Sequence, residues 1–478
     1  MDAMVLVADA AVLVSAFHQI IHHLSSAFTA PTAITFAQIV TGWVLAPGCG
    51  TVTGMIRALG AQATKTWTVY EKFFYRAEWS MDDLGRLLVT GPLAKHLDTI
   101  VEVAIDDTTC GPRGKHVAFA EWWKDASAHT RGPSVHWSHN WVVLAITIRL
   151  KHCPAIRMTF PVMFALHRKQ KDCTEKDPYR TLPQLAREML VKLSAALPDH
   201  VIALAIDGLY ATKDLFGDLP KQVFAVSRLR KNAELRTTVP PVAPEEKRKG
   251  GRPRVRGTPL PDLDTLTRQA TDWRDVTLYK QGRKVERQIT GLTCQWYHVC
   301  GRKPVRVVLV RDPGGVEDDL RLVCSRTEPD LDDAQTVQRY YDRWGIEECI
   351  QEGKAQMGME RLRGWCKKTV TRQTPLAMLI NSLIKLWYLD HAADRPDLQP
   401  ERMPWYDHKR HPSFRDMRAA LRRCLWEDQF SFLKEASFSS VTPEGIPDGK
   451  SDGLSNLQNP CNNAKTLDAL KYALYIAA

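Results

Sequence analysis

The stretch Tyr340-Tyr341-Asp342-Arg343-Trp344-Gly345-Ile346-Glu347-Glu348-Cys349-Ile350-Gln351-Glu352-Gly353-Lys354 decides how the rest of the chain is read. Wound as one α-helix at about 100° per residue, Tyr340, Arg343, Glu347 and Lys354 fall within an arc of roughly 60°. One face then carries a phenol, a guanidinium, a carboxylate and an ammonium, a set suited to holding an anion and a metal together. Glu348 lies well off that arc, so Glu347 is the better candidate for a working carboxylate. The competing reading is a solvated amphipathic helix laced by i,i+4 ion pairs. The rest of the chain decides between the two.

With 478 residues the chain is long enough for two or three domains and a large core. Its net charge of +11 points to a polyanionic partner, nucleic acid above all, or to an acidic membrane surface. The eleven cysteines are dispersed without a Cys-x-x-Cys pair, which reads as reduced thiols in a cytoplasmic protein without a structural metal. No Lys, Arg, Asp or Glu occurs between Ala10 and Ile56. That run is interrupted by histidines, Pro31 and Gly48, so buried helices are expected rather than a membrane span.

Residues 1–95 read as helical, with Ser80 before Met81-Asp82-Asp83 as an N-cap. They suit a DNA-binding or a dimerisation region. Thr99–Ile105 reads as a strand ending in Asp106-Asp107-Thr108-Thr109. Lys115–Ala120 and Trp141–Leu150 read as further strands, and Leu182–Leu197 as a helix. The apolar run Val201–Ile206 reads as a strand buried on both faces, ending in Asp207-Gly208-Leu209-Tyr210. This order suggests an α/β core with a mixed sheet. Residues 208–258 hold twelve Lys/Arg against five Asp/Glu, including the loop cations Lys247, Arg248, Lys249, Arg252, Arg254 and Arg256. Residues 275–325 look mainly β. A helical C-terminal third follows, with Leu376–Leu389 as a long apolar helix, and Ser437–Lys465 has the composition of a flexible tail.

Two strands thus end in aspartate, and a helical glutamate follows far downstream. Acids at neighbouring strand ends repel unless a cation neutralises them, and hard cations such as Mg²⁺ take oxygen ligands. Two such ions a few ångströms apart can drive in-line phosphoryl displacement, with Arg343 and Lys354 holding backbone phosphates. The first ligand is open between Asp106 and Asp107, because strand alternation lets only one point at the metal; Asp106, directly after the apolar strand, is favoured. Trp296 and Trp273 are either stacking platforms for a flipped base or core aromatics. Trp344 either packs beneath the site or meets a base. Lys115, His116 and Arg113 lie just past the first Asp, where they suit either DNA contact or a solvated turn.

The spaced set Tyr340, Arg343, Glu347, Lys354 resembles the Tyr-Arg-Glu-Lys signature of DDE transposases from cut-and-paste bacterial insertion sequences. Ile105-Asp106-Asp107-Thr108-Thr109 and Ile206-Asp207-Gly208-Leu209-Tyr210 are similar to that family's aspartate motifs, and the likeness covers roughly residues 98–370. The resemblance implies a ribonuclease H-like α/β core interrupted by a mainly β insertion and flanked by helical regions. It divides the chain into 1–95, a core first part at 96–235, an insertion at 236–330, core completion at 331–372, a helical domain at 373–436 and a tail at 437–478. It implies Mg²⁺-dependent cleavage at terminal inverted repeats with Mn²⁺ as a substitute, often a DNA hairpin, strand transfer, and a synaptic homodimer on double-stranded DNA with no membrane role. By position, Asp106 or Asp107, Asp207 and Glu347 are then metal ligands, and Tyr340, Arg343 and Lys354 phosphate contacts. A non-catalytic, domesticated derivative and a membrane-associated protein are the alternatives.

Overall fold

The run Val201–Ile206 becomes a strand at the middle of a ten-stranded mixed sheet. The structure, a computed structural model, describes residues 3–47, 50–111, 114–124, 135–150, 156–239, 255–327, 332–361, 363–393, 395–399 and 411–438. The chain divides into two units, Met1–Gln429 and Phe430–Ala478. The expected tail at 437–478 and the loop cations Lys247, Arg248, Lys249, Arg252 and Arg254 fall wholly or almost wholly outside the described residues, as does Arg113.

In chain order the elements begin with five helices: α1 (Ala3–Leu24), α2 (Ala30–Leu45), α3 (Val52–Leu59), α4 (Trp67–Tyr75) and α5 (Met81–Thr90). Four strands follow, β1 (Ile100–Cys110), β2 (Glu121–Lys124), β3 (Val135–Arg149) and β4 (Arg157–His167), then α6 (Leu182–Ala196), β5 (Val201–Ile206) and β6 (Val223–Arg228). Next come α7 (Leu263–Gln269), β7 (Arg274–Lys280), β8 (Arg283–Gln295), the single turn α8 (Tyr297–Cys300), β9 (Pro304–Arg311) and β10 (Leu320–Cys324). The last four helices are α9 (Asp333–Asp342), α10 (Trp344–Gln356), α11 (Lys367–His391) and α12 (Phe414–Phe438).

Strands β4, β3 and β1 are antiparallel neighbours, and β5 and β6 extend β1 in parallel. That order, with α6 crossing between β4 and β5, is the ribonuclease H-like arrangement. Strands β10, β9, β8 and β7 then continue the same sheet, because β10 pairs with β6. One sheet therefore joins the core to the strands expected as an insertion.

Two readings of local sequence change here. Lys115–Ala120 is a turn, with Phe119 in the left-handed region at φ 62° and Ala118 N–H bonded to Trp365 O at 2.9 Å. Arg157–His167, which the sequence reading leaves unassigned, is strand β4. The pairing shifts register opposite Leu144/Ala145, where Pro161, a residue with no N–H, fits.

Each sheet face has its own cover. Val103 and Ile105 of β1 join Leu204 and Ile206 in the large core under α6 and the N-terminal helices. Ala104 joins Ile346, Cys349 and Ile350 of α10 on the other face. Arg372 bonds the carbonyls of Phe74, Ala77 and Trp79, and Arg418 those of Trp43, Val44 and Ala46. Both satisfy carbonyls left over at or just beyond helix C-termini. Among the described residues no helix is long and apolar enough to cross a membrane.

Helix α10 lies close on the sheet because of glycine. A methyl at Gly345 would overlap Thr159 Oγ1, itself buried and 3.0 Å from Thr147 Oγ1. Helix propensity alone would make Gly345→Ala stabilising by about 0.5–1 kcal/mol. The overlap is expected to reverse that sign and destabilise by about 1–3 kcal/mol, read as a lower urea midpoint; a more stable variant would show that this packing is not tight.

Candidate active site

Strand alternation sends Asp106 and Asp107 to opposite faces. Asp106 follows Ala104 onto the α10 face and accepts from Arg343 Nη1 at 2.9 Å. Asp107 follows Ile105 onto the α6 face and accepts from the buried Tyr210 hydroxyl at 2.9 Å. Ile105 pairs with Ile206 across the parallel strands, so Asp207 follows β5 level with Asp106. Asp207 acts electrostatically on both Asp107 and Tyr340.

The helix expected as continuous over 340–354 is broken. Arg343 N–H lies 3.3 Å from both the Arg339 and Tyr340 carbonyls, and α10 starts at Trp344. The cause is on α9. Buried Asp342 is held by Arg149 at 2.9 Å, by Arg157, and by Gln338 at 2.8 Å, which fixes the end of α9 while α10 seats on the sheet. Tyr340 thus belongs to α9, and Glu347 and Lys354 to α10.

Arg343 bridges the two elements: Nη1 to Asp106 and Nη2 to Glu347 at 2.6 Å, with its Nε–H buried and unpartnered. Its ring neighbour is Tyr340, 5.7 Å away. Lys354 donates to Thr109 O at 2.7 Å and pairs with Glu360 at 3.2 Å. Glu348 is exposed and makes no bond to Arg343.

Burial pushes the Asp106 carboxyl up to about 6, against the pull of Arg343. Burial also raises Asp107, opposed by Tyr210 and Asn140. The Tyr210 hydroxyl lies well above its ordinary value through burial and the nearby aspartates, Asp107 foremost. Burial works against the Arg343 charge, but Asp106, Tyr340 and Glu347 outweigh it and raise its pKa.

Among the described residues no three acidic, His or Cys side chains converge at metal-ligand distance. Asp106 and Glu347 converge instead on a guanidinium, so the gap between these two acids already holds a positive charge. An all-oxygen donor set of Asp106, Glu347 and the neighbouring Asp207 has the chemistry for a hard divalent cation.

A cavity of about 510 Å³ opens beside Arg343, lined by Arg228, Arg287, Arg311, Tyr341 and Trp344 and also by the acids Asp312, Glu317, Asp318 and Asp319, with Arg287 paired to Asp312 and Glu317. Arg311 stacks 4.1 Å over Trp273. Sequence reading had not singled out these three arginines; their signal is a basic residue at a β6, β8 or β9 position beside the Glu-bearing helix. Trp344 is 41% exposed beside the cavity. Trp296 is corrected to a core aromatic, 6% exposed and packed edge-on against Phe216, so no base can reach it without unpacking. Arg256 stacks 4.3 Å over Tyr297, away from the acids in sequence and element.

A sequence profile described as DDE superfamily endonuclease matches residues 23–300, more than half of the chain. The chain belongs to this family. The matched span of this DDE superfamily endonuclease includes both aspartate motifs and ends before α10. Endonucleases of the superfamily generally use divalent metal ions. No curated protein matches the sequence. Among solved structures, the cryo-EM piggyBac transposase synaptic complex with hairpin DNA aligns over 92% of this chain and 87% of that chain, at 11% identity and a TM-score of 0.42, too distant a likeness to bear on mechanism.

Because Asp106 is protonated more readily in the folded chain than in the unfolded one, its contribution to stability is present below about pH 4 and is lost as pH rises through about 6. In chelator, Asp106→Asn is therefore expected to melt with the wild type near pH 4 and several degrees above it at pH 7, at about 2–4 °C per kcal/mol. Equal melting temperatures at both pH values would contradict the raised carboxyl.

Proposed function

We propose that this DDE endonuclease is a DNA transposase that cuts transposon ends at terminal inverted repeats and joins them to target DNA. The observation that carries the reading is the convergence of Asp106 and Glu347 on Arg343, level with Asp207, in a ribonuclease H-like sheet. The ordered resemblance of the three acid motifs to cut-and-paste transposases supports the finer points: a hairpin intermediate, strand transfer and a synaptic homodimer.

Asp106, Asp207 and Glu347 are assigned to hold Mg²⁺, with Mn²⁺ as a substitute. When bound, two such ions activate the attacking water or 3′-hydroxyl and stabilise the leaving oxygen. Asp106 is preferred to Asp107 because its carboxylate shares Arg343 with Glu347, whereas Asp107 is engaged by Tyr210. Asp107 and Tyr210 act as positioning residues beneath the strand end. Arg343 keeps an unspent Nε–H, a donor for a backbone phosphate oxygen. The Tyr340 phenol, held protonated by burial, supplies a further donor beside it. Lys354 sits over the last turn of α10, tied to β1 through Thr109 O, and places an ammonium along the same path. Trp344 and the Arg228 and Arg311 walls of the adjoining cavity suit nucleotides next to the cut.

Asp207→Ala or Glu347→Ala is expected to lower Mg²⁺-dependent nicking of a terminal-repeat duplex by at least about a thousandfold, while gel-shift affinity stays near wild type. Full nicking by either variant would overturn the assignment. Asp106→Asn should cost far more activity than Asp107→Asn in the same assay; the reverse order would move the first ligand by one residue.

A further inference from the structure

A second aromatic and basic surface begins where β1 ends. Trp122 on β2 and Trp137 on β3 are direct cross-strand partners, with rings 5.8 Å apart at 64°. Trp122 is 59% exposed and Trp365, after α10, is 71% exposed. Hydrogen bonds tie the surface to the turn after β1. Trp137 Nε1 donates to Gly114 O at 3.2 Å, His139 Nε2 meets Ala118 O at 2.8 Å, and Ala118 N–H reaches Trp365 O at 2.9 Å. Between them Phe119 lies under two cations, Arg168 at 5.3 Å and Lys367 at 5.8 Å.

The charge around these rings is one-sided. Lys115, Lys124, Arg363 and Lys367 are exposed. The acids of the same segments, Glu121 and Glu360, are tied to Lys171 and Lys354. Exposed indole faces amid cations suit nucleobases whose phosphates need a counter-charge. A duplex hides its base faces in stacking, so these rings can take only unpaired bases. Asp106 and Cys110 are four residues apart on β1, about 13 Å of strand. Trp137 lies two residues before His139, the β3 partner of Cys110, so the platform begins at that end of the strand.

We propose that Trp122, Trp137 and Trp365, with Lys367 and its basic neighbours, form a binding site for unpaired single-stranded DNA on one side of the cleaved phosphodiester. The proposal rests on the nuclease reading for its placement in the reaction. Nothing in that reading requires single-strand recognition here.

The test is fluorescence anisotropy of the full chain with a labelled short oligothymidine and, separately, a blunt duplex of equal length. The Trp122→Ala/Trp365→Ala variant is expected to bind oligothymidine about tenfold or more weakly and the duplex as wild type does. Trp122→Phe/Trp365→Phe should restore most of the single-strand affinity. Unchanged oligothymidine binding, or an equal loss on both probes, would overturn the proposal. So would a change in sedimentation of the alanine variant, which would make the patch a contact between copies. Nicking activity is read separately: a chain that never cuts DNA yet keeps the tryptophan-dependent preference refutes the catalytic reading and not the platform.

Discussion

Arg343 joins two carboxylates that come from opposite ends of the fold, reaching Asp106 across 237 residues of chain and Glu347 one helical turn away. Two like-charged acids facing one another would push β1 and α10 apart. The guanidinium removes that repulsion with two charge-assisted bonds. It can do so only because α10 rests on the sheet through Gly345 and because Asp342, clamped by Arg149 and Arg157, turns the chain between α9 and α10. The same cation that holds the two acids together therefore occupies the space that the proposed reaction assigns to metal and phosphate.

Much of this was legible in the sequence. The apolar run Val201–Ile206 read as a doubly buried strand, and the alternation of Thr99–Ile105 set Asp106 and Asp107 on opposite faces. The spacing of Arg343 and Glu347 put them in contact even though the helix is broken, because Arg343 keeps helical dihedrals, φ −52° and ψ −31°. The break itself was not legible: it depends on Arg149 of β3 and Arg157 of β4 meeting the buried Asp342, and such pairs have no local signature. Strand β4 was not legible either, and its Pro161 sits where the pairing with β3 shifts register. Trp296 carries no mark in its neighbours that separates a stacking platform from a core ring; only Phe216, 80 residues earlier, decides it.

The β-rich segment also could not be placed from pattern alone. Its strands alternate as any half-covered antiparallel strands do. Within the sheet, the antiparallel pairing of Leu322 to Cys324 against Val226 to Arg228 joins them to the core. Through that pairing Arg287 and Arg311 come to line a cavity with Tyr341 and Arg343. The cavity is thus lined from both halves of one sheet, by Arg228 of β6 and by Arg287 and Arg311 of β8 and β9.

Contacts between the chain's two ends have a consequence for its synthesis. Trp387 Nε1 bonds Leu13 O at 2.9 Å, Trp43 Nε1 bonds Met357 O at 3.0 Å, and Arg418 closes on the carbonyls of Trp43 and Val44. At about 5–20 residues per second of translation, the first helices wait roughly 20–75 s for these partners to emerge from the ribosome. Until then the apolar faces of α1 and α2 have no cover from α11. A nascent chain stopped before α11 therefore holds both aspartates but has neither a closed core nor a seated Glu347.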